Sequence, residues 1–134
     1  MSAVQLIDLE PKALVIDASL GIKLFVIEEG SEQVDRLFSL LAIEPAFNFF
    51  VPDLFYVECA NVLWKYVKHH AYPAASAQQD IVDLQALSLH SIPTVKLVAE
   101  ALELALEFDL TAYDACCVAL ARRLDVALYA VPIR

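Results

Sequence analysis

The chain has 134 residues, a formal net charge of −9 and an apolar fraction of 60%, enough to fill one substantial core without help from disulfides. Its two glycines, Gly21 and Gly30, cannot build a glycine-rich phosphate loop or a dinucleotide fingerprint, which removes the commonest nucleotide-binding folds. The acidic balance argues against phosphate binding by clustered Lys and Arg, with one exception: carboxylates that hold cations present positive charge to a phosphate.

After a polar lead, Ala13-Leu14-Val15-Ile16 is a continuous apolar run that stops at Asp17, the pattern of a strand buried on both faces. Helices are expected over about Ser19 to Ile27 and Ser31 to Leu41. The second has Ser31 as N-cap and Val34, Leu37, Phe38 and Leu41 at helical spacing. Phe49-Phe50-Val51 reads as a second short strand, ended by Pro52. From Asp53 to about Lys68 the periodicity of Leu54, Val57, Asn61, Trp64 and Tyr66 is helical.

Pro73 introduces a helix from about Ala74 to Leu87. Pro93 and Thr94 open another that runs to about Phe108, and a last helix spans Ala112 to Leu124. Arg122 and Arg123 suit the C-terminal end of that helix. Val126 to Ala130 is a final apolar strand. Apolar strands alternating with amphipathic helices, without hairpin signals, predict an α/β fold: a parallel sheet flanked by helices on both faces. No repeat or linker divides the chain, so residues 1–134 read as a single domain.

Cys59, Cys116 and Cys117 form an odd set with no CxxC pair and no histidine at ligand spacing. A disulfide framework or structural zinc site is therefore not expected, and the thiols read as small apolar core residues. No apolar stretch approaches roughly 18 uninterrupted residues, and no basic-then-apolar leader opens the chain. The expectation is a soluble cytoplasmic protein without a membrane contact.

In open parallel sheets the site lies outside the carboxyl ends of the strands, so Asp17, directly after the first strand, stands out. It also suits a helix N-cap. Glu58 lies one turn into the next strand's helix among Val57, Cys59 and Ala60, where a buried carboxylate is costly without a cation or donor; a solvated surface glutamate is the plainer alternative. Asp114 sits in a first helical turn before Ala115-Cys116-Cys117-Val118, and its interaction with the helix dipole would account for it alone. Only the three acids together, each in an apolar frame, suggest a shared cation site.

Three segments carry a resemblance that spans most of the chain: Leu14-Val15-Ile16-Asp17-Ala18-Ser19, Val51 to Lys65 with Glu58 and Asn61 inside it, and Leu110-Thr111-Ala112-Tyr113-Asp114-Ala115 with Ala119-Leu120-Ala121. In order and separation they resemble the PIN-domain ribonucleases, in particular the VapC-like toxins of toxin–antitoxin pairs. The resemblance implies a PIN-like fold and Mg²⁺- or Mn²⁺-dependent hydrolysis of RNA. It makes Asp17, Glu58 and Asp114 the catalytic metal ligands, surrounded by the polar positions Ser19, Asn61 and Thr111. An RNA substrate and a cognate antitoxin follow as partners.

The chain departs from the family at the last strand, where a fourth acid is usual and Leu128-Tyr129-Ala130-Val131-Pro132 stands instead. Asp125 precedes the strand, at the other end of the sheet. The departure opens a second reading, a degenerate PIN domain that binds RNA or protein without cutting. A phosphatase with Asp17 as nucleophile is disfavoured, because Ser19 occupies the place where a second acid would be wanted.

Lys65, Lys68, Arg122 and Arg123 are candidates for substrate phosphate contacts, Lys65 and Arg122 first; capping of the last helical carbonyls is an equal reading for the arginines. Phe55, Trp64 and Tyr66 are expected to be mostly buried. Surplus apolar surface on the Asp53 and Ala74 helices suggests a homodimer face.

Overall fold

A computed structural model describes residues 13–23, 25, 32, 35, 36, 39 and 48–129. Within them, strand β1 (Ala13–Ile16) leads to helix α1 (Ala18–Ile22), and β2 (Asn48–Pro52) to α2 (Phe55–His69) and α3 (Ala74–Gln85). Then follow β3 (Leu89–Ile92), a 3₁₀ turn at Thr94–Lys96, α4 (Val98–Phe108), α5 (Ala112–Leu124) and β4 (Ala127–Tyr129). The strands form one parallel sheet in the order β3-β2-β1-β4. Central β1 pairs with both neighbours, Val15 lying opposite Phe50 on one side and Leu128 on the other.

Because successive side chains of a strand point to opposite faces, the run Leu14-Val15-Ile16 feeds two cores. Leu14 and Ile16 pack with Phe49, Val51 and the buried faces of α1 and α2. Val15 packs with Leu97, Ala101 and Leu104 beneath α4 and with Ala115, Ala119 and Leu120 on α5. Leu14, Val15 and Ile16 are all inaccessible to solvent, as a strand covered by helices on both faces requires.

Gly21 sets how closely α1 approaches α2. A Cβ there would stand 2.8 Å from Phe55 Cζ and 3.3 Å from Cys59 Sγ, so only a hydrogen allows this separation. The contact matters because Asp17 caps α1 and α2 carries Glu58.

The structure differs from the sequence reading in several places. Strand β3 is absent from that reading: Leu89-His90-Ser91-Ile92 is a half-exposed edge strand with two polar residues in its middle, so it lacks the apolar run that marks β1. Pairing with β2 holds it, helped by a 3.0 Å His90–Asn48 side-chain hydrogen bond and stacking of His90 on Phe50 with centroids 4.8 Å apart. Asp53 precedes α2 rather than opening it, and its carboxylate accepts a 3.0 Å bond from the Thr94 backbone N–H, tying together the ends of β2 and β3. Thr94 itself opens a 3₁₀ turn, and α4 starts at Val98.

Helix α1 stops at Ile22 rather than Ile27, residues 24, 26 and 27 lying outside the described set. The helix expected from Ser31 to Leu41 falls mostly outside it too, as does Ala130 of the last strand. Phe55 is buried and Tyr66 half-buried, but Trp64 is 54% exposed. It lies beside an apolar groove of about 400 Å³ between α2 and α3. Further exposed apolar side chains, Val98, Leu102 and Leu106, run along α4. All three cysteines are free and buried, as expected.

Candidate active site

The strand order places the chain reversal at β1. From there the chain moves outward through β2 to β3, then returns across the sheet to β4 on the other side of β1. Such a switch leaves a crevice at the carboxyl ends of the two central strands. A cleft of about 500 Å³ opens there, and Asp17, Glu58 and Asp114 all line it.

Each acid comes from the start of a different helix: Asp17 is the N-cap of α1, and Glu58 and Asp114 stand in the first turns of α2 and α5. The unpaired N–H groups and positive dipole ends at helix starts favour negative charge. The local capping roles and the shared cleft are therefore the same fact seen at two scales. Asp17 both caps its helix and faces the cleft.

Asp17 is held by three donors on one oxygen. Its Oδ1 accepts from the backbone N–H groups of Ser19 at 3.1 Å and Leu20 at 3.3 Å, and from the Ser19 hydroxyl. Burial raises the Asp17 carboxyl above its ordinary range, the Ser19 hydroxyl and the two N–H groups pull it back, and the charge of Asp114 adds to the rise. Glu58 has no such donors among the causes of its shift. Burial first, then the charges of Asp114 and Asp17, push it up from 4.5 to about 7. The three carboxylates thus repel one another across the cleft, and a cation is the group that would relieve the repulsion. Among the described residues, no three carboxylate, imidazole or thiol groups are already gathered around a single point; the acids form the wall of a cleft, not a closed cage.

Of the polar positions, Ser19 and Asn61 line the cleft, Asn61 one turn after Glu58. Thr111 acts from behind: as N-cap of α5, its Oγ1 accepts from the Asp114 backbone N–H at 3.1 Å. Lys65 also lines the cleft, two turns along α2 from Glu58. Arg122 is not brought there. It lies in the last turn of α5, and with Arg123 it faces Glu100 of α4 at 3.9 and 4.0 Å.

Sequence reasoning passes over several other lining residues: Leu110, Tyr113, Cys117, Val118 and Leu128. Cys117 stands one turn after Asp114, and the acids' charges, after burial, raise its thiol well above the usual range, so it is a neutral apolar wall. Tyr113 is detectable as the neighbour of Asp114 in a first helical turn, where the cleft side of the helix is exposed. Leu128 reaches the cleft only because β4 pairs beside β1, which no local pattern encodes.

Comparisons with known proteins agree with this arrangement. Residues 14–129 match the family model described as PIN domain. Ribonuclease VapC3 of Pyrobaculum aerophilum is 36% identical over 115 residues, covering 83% of this chain and 82% of its own. VapC20 of Mycobacterium tuberculosis, described as a sarcin-ricin loop cleaving toxin, superposes with a TM-score of 0.69 at 15% identity, covering 89% of both chains. A toxin-antitoxin complex from Klebsiella pneumoniae gives a TM-score of 0.55 at 20% identity, covering 86% of this chain and 82% of that one. At such identities the two solved structures speak to the fold alone.

Proposed function

This chain belongs to the PIN-domain family, and from that premise we propose that it is a ribonuclease of the VapC toxin kind with Asp17, Glu58 and Asp114 as its catalytic acids. The observation that carries the assignment is the convergence of three carboxylates, from the starts of three helices, on one cleft at the switch point of the sheet. VapC ribonucleases depend on divalent metal, and the donor set here is all hard oxygen, which suits Mg²⁺ or Mn²⁺ better than zinc. Asp17, Glu58 and Asp114 would hold the ion, which when bound supplies a water of lowered pKa and polarises the phosphoryl oxygen.

The chain's own residues set the conditions for that chemistry. Ser19 and Leu20 fix the Asp17 carboxylate through Oδ1. Thr111 fixes the first turn that carries Asp114. Glu58, its pKa raised from 4.5 to about 7 by burial and by the charges of Asp114 and Asp17, would hold the ion as a carboxylate. Lys65 meets a substrate phosphate, and Cys117, Val118 and Leu128 give the cleft a low-dielectric wall that strengthens these interactions.

The partners that follow are RNA as substrate and a cognate antitoxin that holds the nuclease silent. Exposed Trp64 on α2, beside the apolar groove between α2 and α3, supports a homodimer through that face. No helix among the described residues is long and apolar enough to cross a membrane, and we place the activity in the cytoplasm, where its substrate is made. A PIN module that binds RNA or protein without cutting is the second reading. It is favoured by Leu128, an apolar side chain brought to the cleft by the strand where a further acid is usual.

Induced expression of the chain in a bacterial host tests the toxin assignment. Growth arrest with fragmented stable RNA is expected, and Asp114→Asn should abolish both. Unimpeded growth with intact RNA, from protein that accumulates in folded form, would favour the binding module.

A further inference from the structure

Beside the three acids, the cleft presents a surface that metal chemistry does not use. Tyr113, immediately before Asp114 in the first turn of α5, lines the same cleft and is 63% exposed. It does not belong to the core. The buried face of α5 is taken by Ala115, Cys116, Cys117, Ala119, Leu120 and Ala121. Leu110, also exposed, lines the cleft three residues earlier, while Lys65 approaches from α2. Exposure alone would single out nothing, since isolated apolar surface is ordinary. What distinguishes Tyr113 is its place, with an aromatic ring, three carboxylates and one lysine lining a single cleft of about 500 Å³.

We propose that Tyr113 is the stacking platform for the nucleobase next to the scissile phosphate, and that through it the site selects an unpaired nucleotide. The proposal rests on the ribonuclease reading above. A phosphate placed at the acids sets its flanking nucleotide within reach of the residue adjoining Asp114, and every base offers a π-face to an aromatic ring. In an A-form duplex those faces are occupied by neighbouring bases, and the helix is recognised by shape and backbone instead. A base can lie on Tyr113 only once it has left its stack, which is cheapest in a loop, a bulge or a single strand. Lys65 neutralises the backbone without reading the base, and Tyr113 supplies the aromatic face on which an unpaired base lies.

The test uses the full chain with Mn²⁺ and a pool of RNA hairpins whose loops are randomised, the cut sites being mapped by sequencing for wild type, Tyr113→Ala and Tyr113→Phe. Because Tyr113 is exposed, circular dichroism is expected to show all three folded alike. Wild type and Tyr113→Phe should cut in loops with a base preference at a nucleotide flanking the cut. Tyr113→Ala should lose that preference and raise KM by roughly 5- to 150-fold, the factor carried by one base–aromatic stack, with kcat little changed. A binding readout in the Asp114→Asn background, where RNA stays intact, follows 2-aminopurine in the loop. Its fluorescence should be quenched when position 113 carries the native tyrosine or the Tyr113→Phe change, and left unquenched by Tyr113→Ala.

Equal KM, preference and quenching for wild type and Tyr113→Ala would overturn the platform while leaving the nuclease standing, as would wild-type cutting in stems as readily as loops. A wild type that neither binds nor cuts the pool would overturn the ribonuclease reading and the platform with it.

Discussion

Ser19 donates both its backbone N–H and its hydroxyl to one oxygen of Asp17, and together with the bond from the Leu20 N–H these fix the rotamer of the acid that leaves β1. Ser19→Ala removes the hydroxyl bond and keeps the two backbone bonds that cap α1. Loss of a group that orients a ligand commonly weakens metal binding by about 10- to 100-fold, and that is the change expected in a Mn²⁺ titration by calorimetry. The hydroxyl lowers the Asp17 pKa, so its removal should also carry the acid limb of the metal-binding profile to higher pH. Unaltered affinity and profile would mean that the backbone bonds alone position the carboxylate.

The acids are legible in the sequence for a physical reason. An aspartate that ends a doubly buried strand is forced to the carboxyl edge of the sheet, and a first-turn acid of a helix packed antiparallel to the strands returns to that edge. Asp17, Glu58 and Asp114 all obey this rule. Arg122 does not, because a residue in the last turn of such a helix lies at the far end, where it faces Glu100. Strand β3 is illegible because its stability comes from pairing with β2 and from the His90 contacts, not from apolar residues of its own. Leu128 becomes visible only when the sheet order sets β4 beside β1.

Glu58 makes the metal-free protein sensitive to pH. Its folded pKa is raised, from 4.5 to about 7, so the folded state binds the proton more tightly than the unfolded state. Its contribution to stability is then fully present below pH 4.5 and is lost as pH climbs through about 7. Glu58→Gln should flatten that decline and stabilise the metal-free protein at pH 8 by about 1–2 kcal/mol, a figure discounted for the partial exposure of the side chain. Thermal melts in EDTA across roughly pH 4 to 8, the range the shift spans, make the comparison. Parallel profiles for the two proteins would show that Glu58 ionises without strain.

Gly21→Ala tests the contact that sets α1 against α2. The added methyl would lie 2.8 Å from the Phe55 ring, and overpacking of this kind typically costs about 1–3 kcal/mol. The melting temperature should fall and Mn²⁺ affinity with it, because a displaced α1 carries Asp17 away from Glu58. A lowered melting temperature with unchanged affinity would separate the two effects and place the strain in the Phe55 ring instead.

Lys65 and Arg122 make a paired prediction about substrate. Lys65 lines the cleft, whereas Arg122, in the last turn of α5, faces Glu100 of α4. Lys65→Ala should raise KM for RNA and reduce the slope of log binding against log salt by about one phosphate contact, roughly 0.7 for a single strand. Arg122→Ala should leave both unchanged and alter stability by less than about 1 kcal/mol, as expected for an exposed ion pair. The reverse ranking would move the RNA path from the cleft to the outer end of α5.

The central claim is that the three acids form a metal-dependent nuclease site, and the most direct measurement is cleavage of a mixed structured RNA by purified protein in EDTA, Mg²⁺ and Mn²⁺, with Asp114→Asn alongside. Asp114 is exposed, so the variant should stay folded. Cleavage by the wild type that EDTA abolishes, that metal restores and that Asp114→Asn lacks is the predicted result. Cleavage that persists in EDTA, or that the variant performs equally well, would contradict it.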